Sequence, residues 1–251
     1  MIAIKNEHEL SVMRQACKIT AAARALAGDM VRPGVTTKQI DKAVHDYIVA
    51  QGARPSFLNY GGFPASSCIS VNSTVIHGIP NDYVLKEGDI VSIDVGAFYK
   101  GFHGDCAATF ACGAISTEAQ KLIDVTKQSF YEGIRFATRG HRVSDISHAI
   151  QTYVESNGYS VVRSYVGHGV GQQLHEEPEV PNFGEPGHGP RLLPGMTIAV
   201  EPMVNAGTAD VHVLKDHWTV LTNDGKLSAH FENTVLITDG EPEILTVTEG
   251  L

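Results

Sequence analysis

Basic residues are scarce in this 251-residue chain: 19 Lys and Arg stand against 28 Asp and Glu, a formal net charge of −9. That balance argues against a nucleic-acid backbone or an anionic membrane surface as the main partner. Cysteine is scarce as well. Cys17, Cys68, Cys106 and Cys112 form no CxxC pair and are too few for a disulfide scaffold, which points to a reducing cytoplasm. No run approaches the ~18 apolar residues of a membrane span. Lys5, Glu7 and Glu9 interrupt the first ten residues, where an exported chain would carry an apolar core, so neither export nor membrane insertion is expected. What remains is an ordinary globular composition, 43% hydrophobic with a mean hydropathy of −0.05. The chain is long enough to bury most of its apolar surface.

An internal repeat organises the chain. A shift of 106 positions aligns Gly34 with Gly140, Ile40 with Ile146, Ala43 with Ala149, Tyr47 with Tyr153 and Gly52 with Gly158. Positions 40, 43, 44, 47 and 48 carry the spacing of one helix face, so each copy reads as an amphipathic helix stopped by glycine. Each follows another helical stretch, roughly 7–30 and 117–138. Strand patterns come next: 68–71, 90–98 and 102–110 in the first half, 197–204 and 230–238 in the second. Two such units would pool their strands into one antiparallel sheet, with two helix pairs covering one face. The expectation is a single pseudo-twofold α+β domain, 1–251, with halves 1–115 and 116–251. The prolines and glycines of 176–194 read as an irregular surface loop.

The densest chemistry lies in residues 90–110, IVSIDVGAFYKGFHGDCAATF. A two-residue turn at Tyr99 and Lys100 would set Asp94 directly opposite Asp105, although Tyr-Lys is poor hairpin-turn chemistry. Ser92, Asp94, Gly96, His103, Asp105 and Ala107 then share one face, with Val91, Ile93, Val95 and Cys106 on the other. Facing carboxylates about 4.5–5.5 Å apart destabilise a sheet unless a divalent cation lies between them. The alternative is a solvated polar face. The second half offers His168 between glycines, Glu201 in AVEPMV and Glu232 in SAHFENT. Four carboxylates and one imidazole suit a pair of first-row divalent ions and no structural zinc site.

In order and spacing, Asp94, Asp105, His168, Glu201 and Glu232 resemble the dinuclear site of the short, bacterial-type type I methionine aminopeptidases. The strings VIHGIP (75–80), DIVSIDVG (89–96), GHGVG (167–171), HEEP (175–178) and EPMVN (201–205) agree, and the resemblance spans essentially the whole chain. It implies the pseudo-twofold pita-bread fold and removal of the initiator methionine from peptides and nascent polypeptides. A small second residue would be preferred, and a water activated by two divalent ions (Co, Mn, Fe or Zn) would attack. Asp94 would chelate one ion, Asp105 and Glu232 would bridge both, and His168 and Glu201 would complete the other. Glu201 would also carry the proton, while His77 and His175 would contact the substrate. Tyr60, Phe63, Cys68, Leu174, Met203 and Trp218, with Phe57 nearby, match the methionine pocket. Position 174 is often aromatic in bacterial relatives and is leucine here. Asn72, Thr74 and Ser228 match a monovalent-cation site. His103, His141, His148, His188 and His217 read as ordinary histidines.

The resemblance further implies a cytoplasmic monomer, transiently near the ribosome, with no direct nucleic-acid contact. Two rival readings share the fold. Xaa-Pro aminopeptidases and prolidases usually carry a substantial domain before the catalytic half, for which no segment is seen. Non-catalytic peptide-binding members typically lose ligands, whereas all five positions are filled here.

Overall fold

In the computed structural model residues 1–247 are described, so the last four positions of the expected 1–251 domain lie outside the described residues. In chain order, helices α1 (Glu7–Asp29) and α2 (Thr37–Ala50) precede strands β1 (Arg54–Pro55), β2 (Ser67–Val71), β3 (Thr74–Ile76), β4 (Ile90–Tyr99) and β5 (Phe102–Ala111). Helices α3 (Thr117–Ile134) and α4 (Val143–Ser156) then precede β6 (Ser160–Val161), β7 (Gly167–Gly169), β8 (Glu176–Val180), β9 (Thr197–Val200) and β10 (Met203–Asn205). The chain continues through β11 (Val211–Val213), β12 (Val220–Thr222), β13 (Ser228–His230), β14 (Glu232–Leu236) and β15 (Glu243–Ile244).

The helices start and stop where local chemistry directs. Capping boxes join Asn6 to Glu9 and Thr36 to Gln39, satisfying backbone N–H groups that the first helical turn leaves open. Ile40, Val44 and Ile48 of α2 and Ile146, Ile150 and Val154 of α4 are fully buried, as the repeat predicts. The aligned glycines all take left-handed backbone: Gly34 and Gly140 at φ +92° and +99°, Gly52 and Gly158 at φ +71° and +84°. Side chains with a Cβ rarely adopt such angles, which explains why glycine occupies both ends of each copy. Helix α3 ends at Ile134, earlier than expected.

Among the described residues every strand pairing is antiparallel, and the main sheet has nine strands in the order β1-β4-β5-β14-β9-β7-β8, with β2 also on β4 and β15 on β14. The two halves meet where β14 pairs with β5, Glu232 opposite Ala107 and Asn233 opposite Cys106. Val91, Ile93, Val95 and Ala97 pack with the buried residues of α2, and Ile198, Val200 and Val235 pack with those of α3 and α4. Helix α1 lies so close to β5 that a Cβ on Gly104 would stand 2.8 Å from Cys17 Cα. Asp94 alternates with these core residues and so points to the opposite face.

Three sequence expectations are corrected. The hairpin turns at Lys100 and Gly101, at φ +47° and +98°, a pair of positive angles that glycine at the second position permits. Asp94 therefore pairs with Ala107, and Asp105 with Gly96. Both acids stay on one face, because the turn moved one residue along and strand parity was kept. Second, not all strands enter the main sheet: β13-β10-β6 and β11-β12-β3 form separate three-stranded sheets. The expected strand 197–204 breaks at Glu201-Pro202, since proline has no N–H to continue the ladder. The strand beside it breaks at Phe231, whose N–H donates to Pro202 O at 3.2 Å. Third, Glu176–Val180 is no loop but the strand at the edge of the main sheet, where a proline such as Pro178 is tolerated.

Candidate metal centre

Glu201 and Glu232 lie at the paired breaks, where the two neighbouring strands cross from the main sheet into the β13-β10-β6 sheet. Asp94 and Asp105 come from the hairpin and His168 from β7, paired opposite Ala199. All five meet on the sheet face away from the helices, and Asp105, Glu232, Glu201 and His168 are buried. The ligand-type atoms of Asp105, His168 and Glu232 lie within 4.8 Å of one another, as do those of Glu201, His230 and Glu232. His168 Nδ1 donates to Gly169 O at 2.8 Å, because a carbonyl can only accept. Its Nε2 is thereby left unprotonated and aimed at the acids, 3.6 Å from Glu201 Oε1 and 3.7 Å from Asp105 Oδ2.

The electrostatics are those of crowded negative charge. Burial pushes the Asp94 carboxyl up to about 7 against the pull of His230, and burial takes Glu201 up to about 8. Burial, then the charge of Asp94, holds Asp105 well above the usual carboxylate range. Burial, then the charge of Asp105, does the same to Glu232. Desolvation lowers His168 to about 3 and His230 to about 4, keeping both rings neutral. Among the described residues, Asp94 Oδ1, Asp105 Oδ1, Glu232 Oε1 and His230 Nε2 are buried without a hydrogen-bond partner. Orphaned polar atoms are costly, and their convergence on one spot fits a group of divalent cations that each atom could bind.

Above the acids is a cavity of about 220 Å³, lined by Phe57, Tyr60, Phe63, Cys68, Leu174 and Trp218 and floored by Asp94, Asp105, Glu201 and Glu232. That is small beside the ~300–1,000 Å³ of ordinary ligand pockets, and suits one side chain. Cys68 is placed by its pairing with Asp94 and by Asp41 Oδ1, which accepts from Ser66 N, Ser67 N and Ser67 Oγ. Phe63 and Trp218 meet edge to face at 5.2 Å, and Asp216 fixes the tryptophan by accepting from Trp218 N and Thr219 N. Met203 does not reach the cavity. It is fully buried with Val75, Ile76, Val162 and Val220, because β10 has already crossed into the small sheet.

His77 and His175 both line the cavity. His77 is held at φ +57°, a strained conformation for a side chain of its size, of the kind that clusters at functional sites. The following Gly78 lets this segment pack against β2, since a Cβ there would stand 2.2 Å from Ile69 O. His175 meets the His168 ring edge-on, with centroids 4.2 Å apart, and contacts Tyr60 Oη through Nδ1 at 2.8 Å. The chain around it is fixed by the half-buried Glu176, which accepts from Lys5 Nζ at 2.7 Å and from Gln173 N at 3.0 Å.

The remaining residues singled out from the sequence lie elsewhere. Asn72 bonds to Asp89 and Ile90 N through its side chain, Ser228 Oγ bonds to Asn205, and Ser228 N donates to Asn72 O at 2.9 Å. Thr74 lies in β3. His103, His141, His148, His188 and His217 do not line the cavity. Sequence reasoning missed His230 and the wall residues Ile76 and Tyr165, the last edge-on to His77 at 5.7 Å. His230 and Ile76 had a visible signal, the one two residues before Glu232 and the other directly before His77 in VIHGIP.

Comparison with known proteins agrees with this geometry. The family described as "Metallopeptidase family M24" matches residues 11–239. The methionine aminopeptidase of Clostridium perfringens is 56% identical, covering 98% of this chain and 99% of its own. The crystal structure of the methionine aminopeptidase from Rickettsia prowazekii superposes with a TM-score of 0.97 at 43% identity, covering 98% of this chain and all of that one. The prolidase from Pyrococcus furiosus shares the fold, with a TM-score of 0.79 at 24% identity, but this chain covers only 66% of it.

Proposed function

The chain belongs to metallopeptidase family M24, and from that premise we infer that it is a metal-dependent methionine aminopeptidase. It removes the N-terminal methionine from peptides and nascent polypeptides, preferably ahead of a small second residue. The observation that carries the reading is the small apolar cavity standing directly on four converging carboxyls.

Asp94, Asp105, His168, Glu201 and Glu232 would hold two divalent ions, Co, Mn, Fe or Zn. When bound, such ions supply Lewis acidity toward a water and the scissile carbonyl. The protein groups do the rest. The free, neutral amine of an N-terminus would be received at the ions held by the acidic floor, and the walls from Phe57, Phe63, Cys68, Leu174 and Trp218 take up an unbranched thioether chain. With the ions in place Glu201 would stand ionised, so that its carboxylate can accept the proton of the attacking water and return it to the leaving amine. His77 and His175 hold the peptide beside the scissile bond and donate to its carbonyl as charge develops, a contribution of ~2.7–4 kcal/mol for one well-placed donor.

The same reading takes residues 1–251 as one catalytic domain with halves 1–115 and 116–251, supported by the four matched left-handed glycines. It includes a monovalent cation near Asn72, Thr74 and Ser228, supported by the bond that draws those two loops together. The enzyme acts as a cytoplasmic monomer, transiently near the ribosome and without direct nucleic-acid contact. In support, every residue named for the site comes from one chain, and among the described residues no helix is long and apolar enough to cross a membrane.

The test is mass-spectrometric detection of the Ala-Ser released from Met-Ala-Ser and from formyl-Met-Ala-Ser, with metal content measured on the same sample. Release from the free peptide alone is expected. Equal release from the formylated peptide would contradict a site that selects the free amine.

A further inference from the structure

We infer that His230 is itself a metal ligand, a second imidazole across Glu201 from His168, so that two nitrogens face the ions. The inference deepens the dinuclear reading and rests on it. His230 ends β13 immediately before the break at Phe231, and its backbone is pinned to β5 on both sides. Its N–H donates to Thr109 Oγ1 at 2.9 Å, and the Thr109 hydroxyl donates to its carbonyl at 2.9 Å. The side chain is only 2% exposed, yet its Nε2 has no hydrogen-bond partner among the described residues.

That nitrogen lies 3.6 Å from Glu201 Oε2, while Glu201 Oε1 lies 3.6 Å from His168 Nε2. Each carboxylate oxygen of Glu201 therefore faces one imidazole at the same separation. This spacing is too long for a hydrogen bond. It matches two donors sharing one ion, since ligands each about 2.1 Å from a tetrahedral centre stand about 3.4 Å apart. A histidine with a purely structural role would have a partner for its buried nitrogen, and none is present among the described residues. A second imidazole adds borderline-soft character to an otherwise oxygen-rich site, which favours Fe, Co and Zn over Mn.

The test loads metal-free protein, ¹⁵N-labelled at histidine, with two equivalents of Co(II). Ring N–H protons with contact shifts, which require a metal–nitrogen bond, are then counted by NMR. Wild type should show two, which needs no substitution to observe. His230→Gln should keep one, and its Co(II) dissociation constant should rise by ~10-fold or more, at least the loss seen for outer-shell partners. A single contact-shifted N–H in wild type would overturn the inference and leave the dinuclear reading standing. So would a His230→Gln spectrum and Co(II) affinity identical to wild type. Failure of wild type to take up two Co(II) would overturn both.

Discussion

Glu201 Oε1 stands 3.6 Å from His168 Nε2 in a site where the ring is neutral and the carboxyl holds its proton up to about 8. In the metal-free site the acid is thus the proton-binding member of the pair, and bound ions would displace that proton and free the carboxylate to take one from water. Glu201→Gln keeps the shape and removes that capacity, so kcat should fall by ~10²–10⁴-fold with a far smaller change in KM. Steady-state kinetics on Met-Ala-Ser, with metal content determined on the same sample, check this. Unchanged kcat with both ions bound would remove Glu201 from proton transfer.

Asp105 sits deeper, with its backbone N–H donating to Thr234 Oγ1 at 3.1 Å at the seam between the two halves. Asp105→Asn keeps that backbone contact and neutralises one carboxyl that lies close to both His168 and Glu232. Activity should be nearly abolished and metal content should drop, with an unchanged far-UV circular dichroism spectrum. Retention of both ions and near wild-type turnover would contradict the role given to Asp105.

Stability should depend on pH in opposite senses with and without metal. The site carboxyls are raised, Asp94 to about 7 and Glu201 to about 8. The metal-free fold therefore binds more protons than the unfolded chain and loses stability as pH rises through that window. The lowered histidines act the other way, costing stability as pH falls below their ordinary value of about 6.5. Mn(II) displaces the carboxyl protons, so its increment in Tm should be larger at pH 8 than at pH 6. Equal increments by calorimetry would show that these carboxyls do not bind the ion.

Packing makes a prediction far from the chemistry. Gly104→Ala forces a Cβ to 2.8 Å from both Cys17 Cα and Thr20 Oγ1, so α1 must move off β5. Overpacking of this kind costs ~1–3 kcal/mol, readable as a lower urea midpoint with an unchanged m-value.

Much of this architecture is legible in the chain. The helix faces at 40, 44, 48 and 146, 150, 154 follow from spacing, and the matched glycines mark left-handed stops. The shared face of Asp94 and Asp105 is readable even though the turn is not, because moving the turn from Tyr99-Lys100 to Lys100-Gly101 preserves side-chain parity. Other features need three dimensions. Alternation continues smoothly through 197–204 and 230–238, so the breaks at Pro202 and Phe231 that carry Met203 away from the cavity are invisible as periodicity. His230 reads as one more strand residue, since its orphaned nitrogen is a property of what surrounds it. Tyr165 comes from a segment with no site motif of its own, and Ile76, although inside VIHGIP, reads there as an ordinary strand residue.

The central claim is a methionine-selective, metal-dependent aminopeptidase. The most direct measurement is kcat/KM for Met-Ala-Ser against Ala-Ala-Ser and Ala-Pro-Ala, on enzyme with two ions per chain verified. Losing the thioether chain from a small apolar pocket costs ~1–3 kcal/mol for each methylene-sized step, so Met-Ala-Ser should be cleaved at least ~100-fold faster than either alanine peptide. Faster cleavage of Ala-Pro-Ala would instead assign the site to a proline-specific peptidase and contradict the account.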